Sequence, residues 1–595
     1  MKPRSATKVT ALLRWQHALL GALLLSGLLY ACLILNWTLH DPDTMQGAPT
    51  ISIFHTNKNA AGAVASGDRE PRSTEKTHNG EIGASIDNRL QGTERFDPSS
   101  AKFHTTKFEA SATQPVDFPS NTSQVRRLRC VGWRATAGCS PSGIRLPQDD
   151  QQCNSTIPEG ISGYCEVEDL DSQQRFMVMK RTCATGYKGT VFRCADAPGF
   201  ANFRAKAQAT ADKALMPGYT LPNTNGSNAD FRQGIVMVVY PKLVASTYAT
   251  VRALRDVMEC SLPIEIWLRP DEMSKVTGAL EPLWDLARNK THGKITFQAI
   301  RHRHAVHFNS KVYAIFHSKF DEVLFLDADN VPVRDPTYLF KTPEFLMTGA
   351  IFWPDFWHPD QTIFFINPTS MVWQLLDMPF VDMFEQESGQ LLIDRKRHAA
   401  PLALVAFYAF HQPNYFKHLK LAWGDKDLFR FAWLKLGASF HMVKTPPAVA
   451  GEMKWNSFCG MTMAQHDPSG DVVFLHRNQL KLTGEVKTQA LDLRLIKVLD
   501  PEQADIEDDE YPDPAIWTHL VSFRENSPRS KYIIQKHISM SRFTGIQRCF
   551  GGHELHKNPH FYTEEFTNFS FSELESQLRQ FAMKAVQLRQ QKTAT

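Results

Sequence analysis

No C-x-x-C pair, no internal repeat and no excess of charge of either sign occurs in the 595 residues of this chain. The first absence removes the usual zinc and thioredoxin-like spacings. The second excludes solenoids and propellers. Lys and Arg number 66 against 62 Asp and Glu, a formal +4, whereas a nucleic-acid partner would demand a basic excess or stripe. Glycine and proline stand at an ordinary 32 and 34, so low-complexity classes do not apply. What is plentiful is aromatic: 39 Phe and 12 Trp need a place to be buried, and wholesale disorder is excluded. At ~100–200 residues per domain the chain has room for about three or four units.

One apolar run is long enough to cross a membrane. Ala18 to Leu35 follows Lys2, Arg4, Lys8 and Arg14 and precedes Asp41 and Asp43. The run of about 18 residues ends without a small-x-small cleavage site, which predicts an uncleaved signal anchor. The positive-inside bias then leaves residues 1–15 as a cytosolic tail, 16–37 as the span, and the remainder lumenal in a single-pass type II membrane protein. The short span suits early secretory membranes. Six cysteines cluster (Cys130, Cys139, Cys153, Cys165, Cys183, Cys194), which in an oxidising compartment predicts about three disulfides of open pairing. Cys260, Cys459 and Cys549 are odd in number. One is therefore free or joins two chains, so a homodimer, disulfide-linked or non-covalent, is among the expected assemblies. Sequons at Asn121, Asn154, Asn225, Asn289 and Asn568 are compatible with a glycosylated lumenal chain.

Composition divides the remainder. Residues 38–125 are polar and aperiodic and read as a disordered stem. Residues 126–198 form the disulfide-rich module, and 199–230, containing a Pro/Gly/Asn-rich stretch, read as a linker. From 231 to 595 the pattern is that of a folded α/β domain with a C-terminal helical extension. Ile235 to Tyr240, Ile264 to Leu268, Ile295 to Ile300 and Val323 to Leu326 are buried-strand runs alternating with helical spacings. They predict a mixed, largely parallel sheet. Ser572-x-x-Glu575 reads as a capping box opening the final helix.

The sharpest chemical signal is Leu326-Asp327-Ala328-Asp329-Asn330. Two carboxylates leave a buried strand at its C-terminal end, the edge where open α/β sheets bind ligands. Such a pair can hold a divalent cation that neutralises a diphosphate.

The segment Phe320 to Pro332, followed by Gly349-Ala350-Ile351-Phe352-Trp353-Pro354-Asp355-Phe356-Trp357, resembles glycosyltransferase family 71, which contains fungal Golgi α-mannosyltransferases. Glu387-Ser388-Gly389-Gln390, Gly424-Asp425-Lys426-Asp427, Gln465-His466-Asp467-Pro468 and Phe474-Leu475-His476-Arg477-Asn478 match in order. The resemblance covers about residues 232–485. It implies a GT-A-like nucleotide-sugar transferase domain, with Asp327, Asp329 and His476 binding a metal, Mn²⁺ in preference to Mg²⁺. The donor site would include Asp327, Asp329, Lys311 and Lys481. Glu387, Asp425 and Lys426 are the catalytic candidates, with Asp425 on donor-sugar hydroxyls and Lys426 near the reacting carbon. Trp353, Asp355 and Trp357 are candidates for sugar or acceptor contact, the rings sharing one face if they lie on a strand.

The implied activity is transfer of a hexose, mannose from GDP-mannose, with retention to an α-linkage on a glycan or glycoprotein acceptor in the Golgi lumen. A UDP-sugar donor and a non-catalytic glycan-binding role are the alternatives.

Overall fold

The computed structural model describes residues 114–594 apart from 188, 225–231, 486–509, 540–542 and 544–546. The expected tail, the anchor at 16–37 and the stem up to 113 lie outside the described residues. Among the described residues, no helix is long and apolar enough to cross a membrane.

Strands β1 (Val116–Asp117), β2 (Leu128–Thr136), β3 (Ser162–Asp169) and β4 (Arg175–Arg181) form a sheet of order β1-β4-β3-β2. The six clustered cysteines pair among themselves, as Cys130–Cys153, Cys139–Cys183 and Cys165–Cys194. Two boundaries read from composition need correction. The stem was expected to reach 125, yet β1 pairs parallel with β4 and Phe118 packs edge-on against Phe176, centroids 5.3 Å apart. The linker was expected at 199–230, yet α1 (Ala197–Ala214) occupies its first half. Alanine-rich sequence favours a helix without strong amphipathic contrast, and Phe200 and Phe203 anchor it in the core. One apolar cluster runs from Trp133 and Val167 through Phe200 to Val236 and Phe352. The disulfide region therefore shares its core with the α/β body.

That body is built on seven strands. They are β5 (Gln233–Val239), β6 (Ile264–Leu268), β7 (Ile295–Ala299), β8 (Glu322–Leu326), then, after the short β9 (Asn330–Pro332), β10 (Ala350–Pro354), β11 (Gln386–Asp394) and β12 (His441–Met442). The order is β12-β10-β11-β8-β5-β6-β7. β7, β6, β5 and β8 are parallel, and β11 alone runs against its neighbours. The sheet is mixed and largely parallel, as the strand runs predicted. Alternate residues face opposite layers: Val236, Val323 and Phe325 enter the cluster shared with the disulfide region, while Ile235, Met237, Leu324 and Leu326 enter a second one. Period-two alternation within an all-apolar run is what a strand covered on both faces requires. Helices α2 (Val244–Arg252), α3 (Glu281–Arg288), α4 (Asn309–His317), α5 (Ala399–Phe410) and α6 (Lys426–Leu436) complete these layers.

A second sheet follows: β13 (Ala448–Lys454), β14 (Ser457–His466), β15 (Val472–His476), β16 (His519–Phe523), β17 (Lys536–Ile538), β18 (Arg548–Phe550) and β19 (Phe561–Glu565). Its order is β17-β18-β14-β13-β16-β19, and β15 joins β14 to β9. Cys459 on β14 is bonded to Cys549 on β18. Cys260 is free and buried, its thiol pushed up to about 11 by that burial, so it is no exposed link between chains. The final helix, α7 (Leu574–Ala594), packs on α2 and α3. Its Glu575 makes no capping box. The carboxylate instead meets Arg477 and the amides of Ile516 and Trp517.

Candidate active site

The site forms where β8 ends and the chain changes sheets. Asp327 follows the last residue of β8, and its N–H donates to the Gly389 carbonyl (2.8 Å). A tight turn, closed by Asn330 N–H to Asp327 O (3.0 Å), delivers the chain into β9. β9 runs antiparallel to β15 with Asn330 opposite His476. One more ladder bond, Arg477 N–H to Asp329 O (3.0 Å), follows. This register places His476 Nε2 3.3 Å from Asp329 Oδ1.

Asp327, Asp329 and His476 each offer a ligand atom, all within 4.8 Å of one another. Asp329 and His476 are buried and Asp327 half-buried. Two carboxylates and one imidazole are a donor set that suits Mn²⁺. Burial opposes ionisation of Asp329, but Lys481, 2.6 Å away, and then His476 outweigh it and hold the carboxyl well below its usual range. Desolvation likewise opposes the His476 charge, and Asp329 overcomes it, raising the imidazole. Lysines thus occupy the flanks of the acidic pair. Lys481 is on Asp329, and Lys311 lies 3.1 Å from Asp327 Oδ2 and 3.1 Å from the Ser388 carbonyl. Lys311 is buried, which disfavours its charge, yet Asp327 and Asp425 raise it to about 12.

Because β11 is antiparallel, its start lies where β8 ends. Glu387 on β11 accepts from the Gly389 N–H at Oε1 (2.7 Å), with His476 Nδ1 3.7 Å from the same oxygen. Its other oxygen meets Lys426 Nζ at 2.6 Å. Lys426, the first residue of α6, also contacts Asp355 Oδ2 at 2.8 Å. Burial works against both carboxylates. In Glu387, Lys426 and His476 prevail and bring it to about 2; in Asp355 burial prevails, assisted by Glu387, and pushes it up to about 6. Lys426 pays for its own burial through these two partners and is held above its ordinary range. Asp425 is buried, 3.6 Å from Lys311, and burial with the nearby Asp327 pushes it up to about 7. Its Oδ2 has no hydrogen-bond partner among the described residues.

The structure thus gathers Asp327, Asp329, Lys311, Lys481, His476, Glu387, Asp355, Asp425 and Lys426 into one connected network. The two tryptophans are a correction. Trp353 is fully buried, donates its indole N–H to the His466 carbonyl (2.8 Å) and packs edge-on against Phe474. Trp357 lies beyond β10 in a different apolar cluster, with Lys536 Nζ 5.0 Å over its ring. Neither presents an open face to a sugar, and they share no face. Ser388 and Gly389 are participants that residue patterns did not single out. A glycine inside β11 is the sequence signal for such a close approach, and a Cβ at Gly389 would lie 2.6 Å from His476 Nδ1.

Residues 232–467 match a family model described as "Mannosyltransferase putative". The chain is similar to "Alpha-1,2-mannosyltransferase MNN2" of Saccharomyces cerevisiae, at 27% identity over 39% of this chain and 45% of that protein. It is 25% identical to "Alpha-1,2-mannosyltransferase MNN21" of Candida albicans over 41% and 44%. A third relative, "Alpha-1,2-mannosyltransferase MNN5" of Saccharomyces cerevisiae, is 24% identical over 58% and 66%. The chain spans about half the length of the first two relatives. Among solved structures, core-mannan synthase A from Aspergillus fumigatus in a Mn/GDP form is 8% identical, with a TM-score of 0.25 over 38% of this chain and 74% of that one.

Proposed function

Through residues 232–467 the chain belongs to the mannosyltransferase family that this model describes, and from that premise we propose that it transfers mannose from GDP-mannose to a glycan, retaining the α-configuration. The observation that carries the reading is the Asp327/Asp329/His476 group at the carboxyl end of a central parallel strand. A GT-A-like domain uses that edge for a nucleotide-sugar, and the names of the relatives supply the sugar. Four disulfides among the described residues support residence in an oxidising compartment. With the apolar run at 16–37, that points to a Golgi type II membrane protein with a lumenal catalytic domain.

Asp327, Asp329 and His476 would hold the divalent cation, Mn²⁺ by the chemistry of the set, which when bound supplies positive charge to a departing diphosphate. The chain contributes the remainder. Lys481 and Lys311 are the cations beside the acidic pair and face the charge that develops on the leaving group. Glu387, fixed by the Gly389 amide and by Lys426, puts its charge 3.7 Å from Nδ1 of His476, on the side of the ring opposite the Nε2 that faces Asp329. Asp425, buried with one oxygen unpartnered, accepts from a donor-sugar hydroxyl. Lys426 is committed to Asp355 and Glu387, which makes it a spacer that sets their positions.

The test is nucleotide release and transfer to mannan-type oligosaccharides, with GDP-mannose and UDP-sugars compared with and without Mn²⁺. Mn²⁺-dependent GDP release with an α-mannosidase-sensitive product is the expected result. Activity with UDP-sugars alone changes the donor. Glycan binding without nucleotide release with any donor overturns the enzymatic reading. Protease protection of residues 38–595 in sealed microsomes is expected for the type II orientation.

A further inference from the structure

The loop that carries His476 and Lys481 into the site is fastened from behind by one face of the C-terminal helix. Arg477, next to the histidine, is buried (3% exposed), and its guanidinium is fully committed. Nη1 meets Glu575 Oε1 at 2.6 Å, Nη2 donates to the Pro514 carbonyl at 2.8 Å, and Nε donates to the Leu480 carbonyl at 2.7 Å. Glu575 also accepts from the Ile516 and Trp517 amides, at 2.8 and 2.9 Å. One turn along α7, Arg579 donates to the Asp513 carbonyl (2.7 Å), and the Asp513 carboxylate receives the Thr483 and Gly484 amides. One turn further, a Cβ on Gly484 would come 2.0 Å from the Ala582 carbonyl. Residues 575, 579 and 582 share a helical face. Directly at Arg477, and through Asp513 at Thr483 and Gly484, they hold the loop on either side of Lys481.

We propose that this helix face is the positioning element of the metal centre: Glu575, acting through Arg477, fixes His476 and the Lys481 loop against Asp329. The inference rests on the metal-dependent reading of the site. Glu575 has no direct contact with the triad among the described residues; it reaches the triad through Arg477, whose backbone N–H bonds the Asp329 carbonyl while its side chain is held by α7. A partner behind the ligand shell that orients it sets affinity as strongly as many ligands do. Asp329, Arg477 and Leu578 of α7 line one small cavity together with Ser246.

The test is calorimetric titration of the purified protein with Mn²⁺ alone, alongside thermal melting. Glu575→Gln is expected to raise the Mn²⁺ dissociation constant ~10-fold or more. Because it also leaves a buried guanidinium without its counter-ion, Arg477→Lys is the second variant. It keeps an ion pair to Glu575 and loses the Leu480 and Pro514 bonds, and the same weakening is expected. Phe581→Ala, which removes a ring that packs under Arg252 at 4.6 Å, loosens the helix elsewhere. It should lower Tm with Mn²⁺ affinity unchanged. Wild-type affinity in folded Glu575→Gln or Arg477→Lys overturns the proposal. So does equal weakening in Phe581→Ala, which would make it general destabilisation. A wild-type protein that binds no Mn²⁺ overturns the metal reading itself and the proposal with it.

Discussion

His476 and Asn330 face each other across the β9–β15 ladder, and that register lays the imidazole beside Asp329. The metal group is therefore a product of strand pairing between two sheets. Asp327 belongs to the end of the first sheet, His476 to the second, and Asp329 to the turn that connects them.

Asp329→Asn should lower transfer by at least ~10²-fold, the scale of losing one electrostatic stabiliser. An exposed strand-end carboxylate would leave stability untouched, but Asp329 is only 7% exposed and is paired with Lys481 and His476. Its depressed folded-state ionisation contributes stability at neutral pH that is lost on acidification. Melting of the metal-free variant at pH 7 should accordingly fall below wild type, and the Mn²⁺-induced rise in Tm should vanish. Near-wild-type transfer by a soluble variant would sink the metal assignment.

Gly389→Ala tests the packing around the histidine. The added Cβ would lie 2.6 Å from Nδ1 and 2.8 Å from Cε1 of His476, and 3.1 Å from Glu387 Oε1. The imidazole must yield, so Mn²⁺ affinity should drop by ~10–100-fold. Titration calorimetry reads this directly, and unchanged affinity would show that the ring accommodates the methyl group in place.

Asp425 has a pH signature. Burial and the nearby Asp327 push its folded-state value up to about 7, whereas an unfolded Asp titrates near ~3.9. Across that window the folded protein keeps a proton that the unfolded chain has released. Metal-free stability should fall as pH rises through it. Asp425→Asn removes this contribution to the slope, so its Tm relative to wild type should increase from pH 4 to pH 7, while transfer falls by ~10²-fold. Parallel Tm–pH curves for the two proteins would refute the environment assigned to Asp425.

Deletion of residues 114–198 should abolish folding. Its cysteines mark it off in the sequence, but the module shares an apolar core with the α/β body, and Lys180 and Gln374 exchange backbone–side-chain hydrogen bonds of 2.8 and 2.6 Å. A soluble truncation beginning at residue 199 with a cooperative melting transition would contradict this.

The chemistry at the end of β8 was legible because a parallel strand buried on both faces writes an unbroken apolar run, and Val323 to Leu326 ends directly in Asp327-Ala328-Asp329. His476 was reached through resemblance alone, since its place depends on a long-range register that no local pattern records. Spacing also hides where helices begin: Ser246 and Thr247 lie inside α2, and Thr247 Oγ1 bonds the Leu243 carbonyl (2.7 Å), because the preceding Pro241–Leu243 turn has already started the helix. The spacing of Glu575 suggests a cap because spacing can suggest only short-range hydrogen bonding; the partner that claims it, Arg477, is distant in sequence. The tryptophans misled because Trp at period two fits a strand, and β10 stops at Pro354, before Trp357.

The disulfides also order events in time. Cys130–Cys153, Cys139–Cys183 and Cys165–Cys194 close over separations of 23, 44 and 29 residues. All six partners emerge before any later cysteine of the α/β body is made, as synthesis proceeds from the N-terminus. Cys459 must then wait for Cys549, 90 residues later, with His476 emerging in the interval. Cys260 appears between the two sets and disappears into the core of the first sheet's layer. Vectorial emergence thus presents the six clustered thiols before either thiol of the second pair.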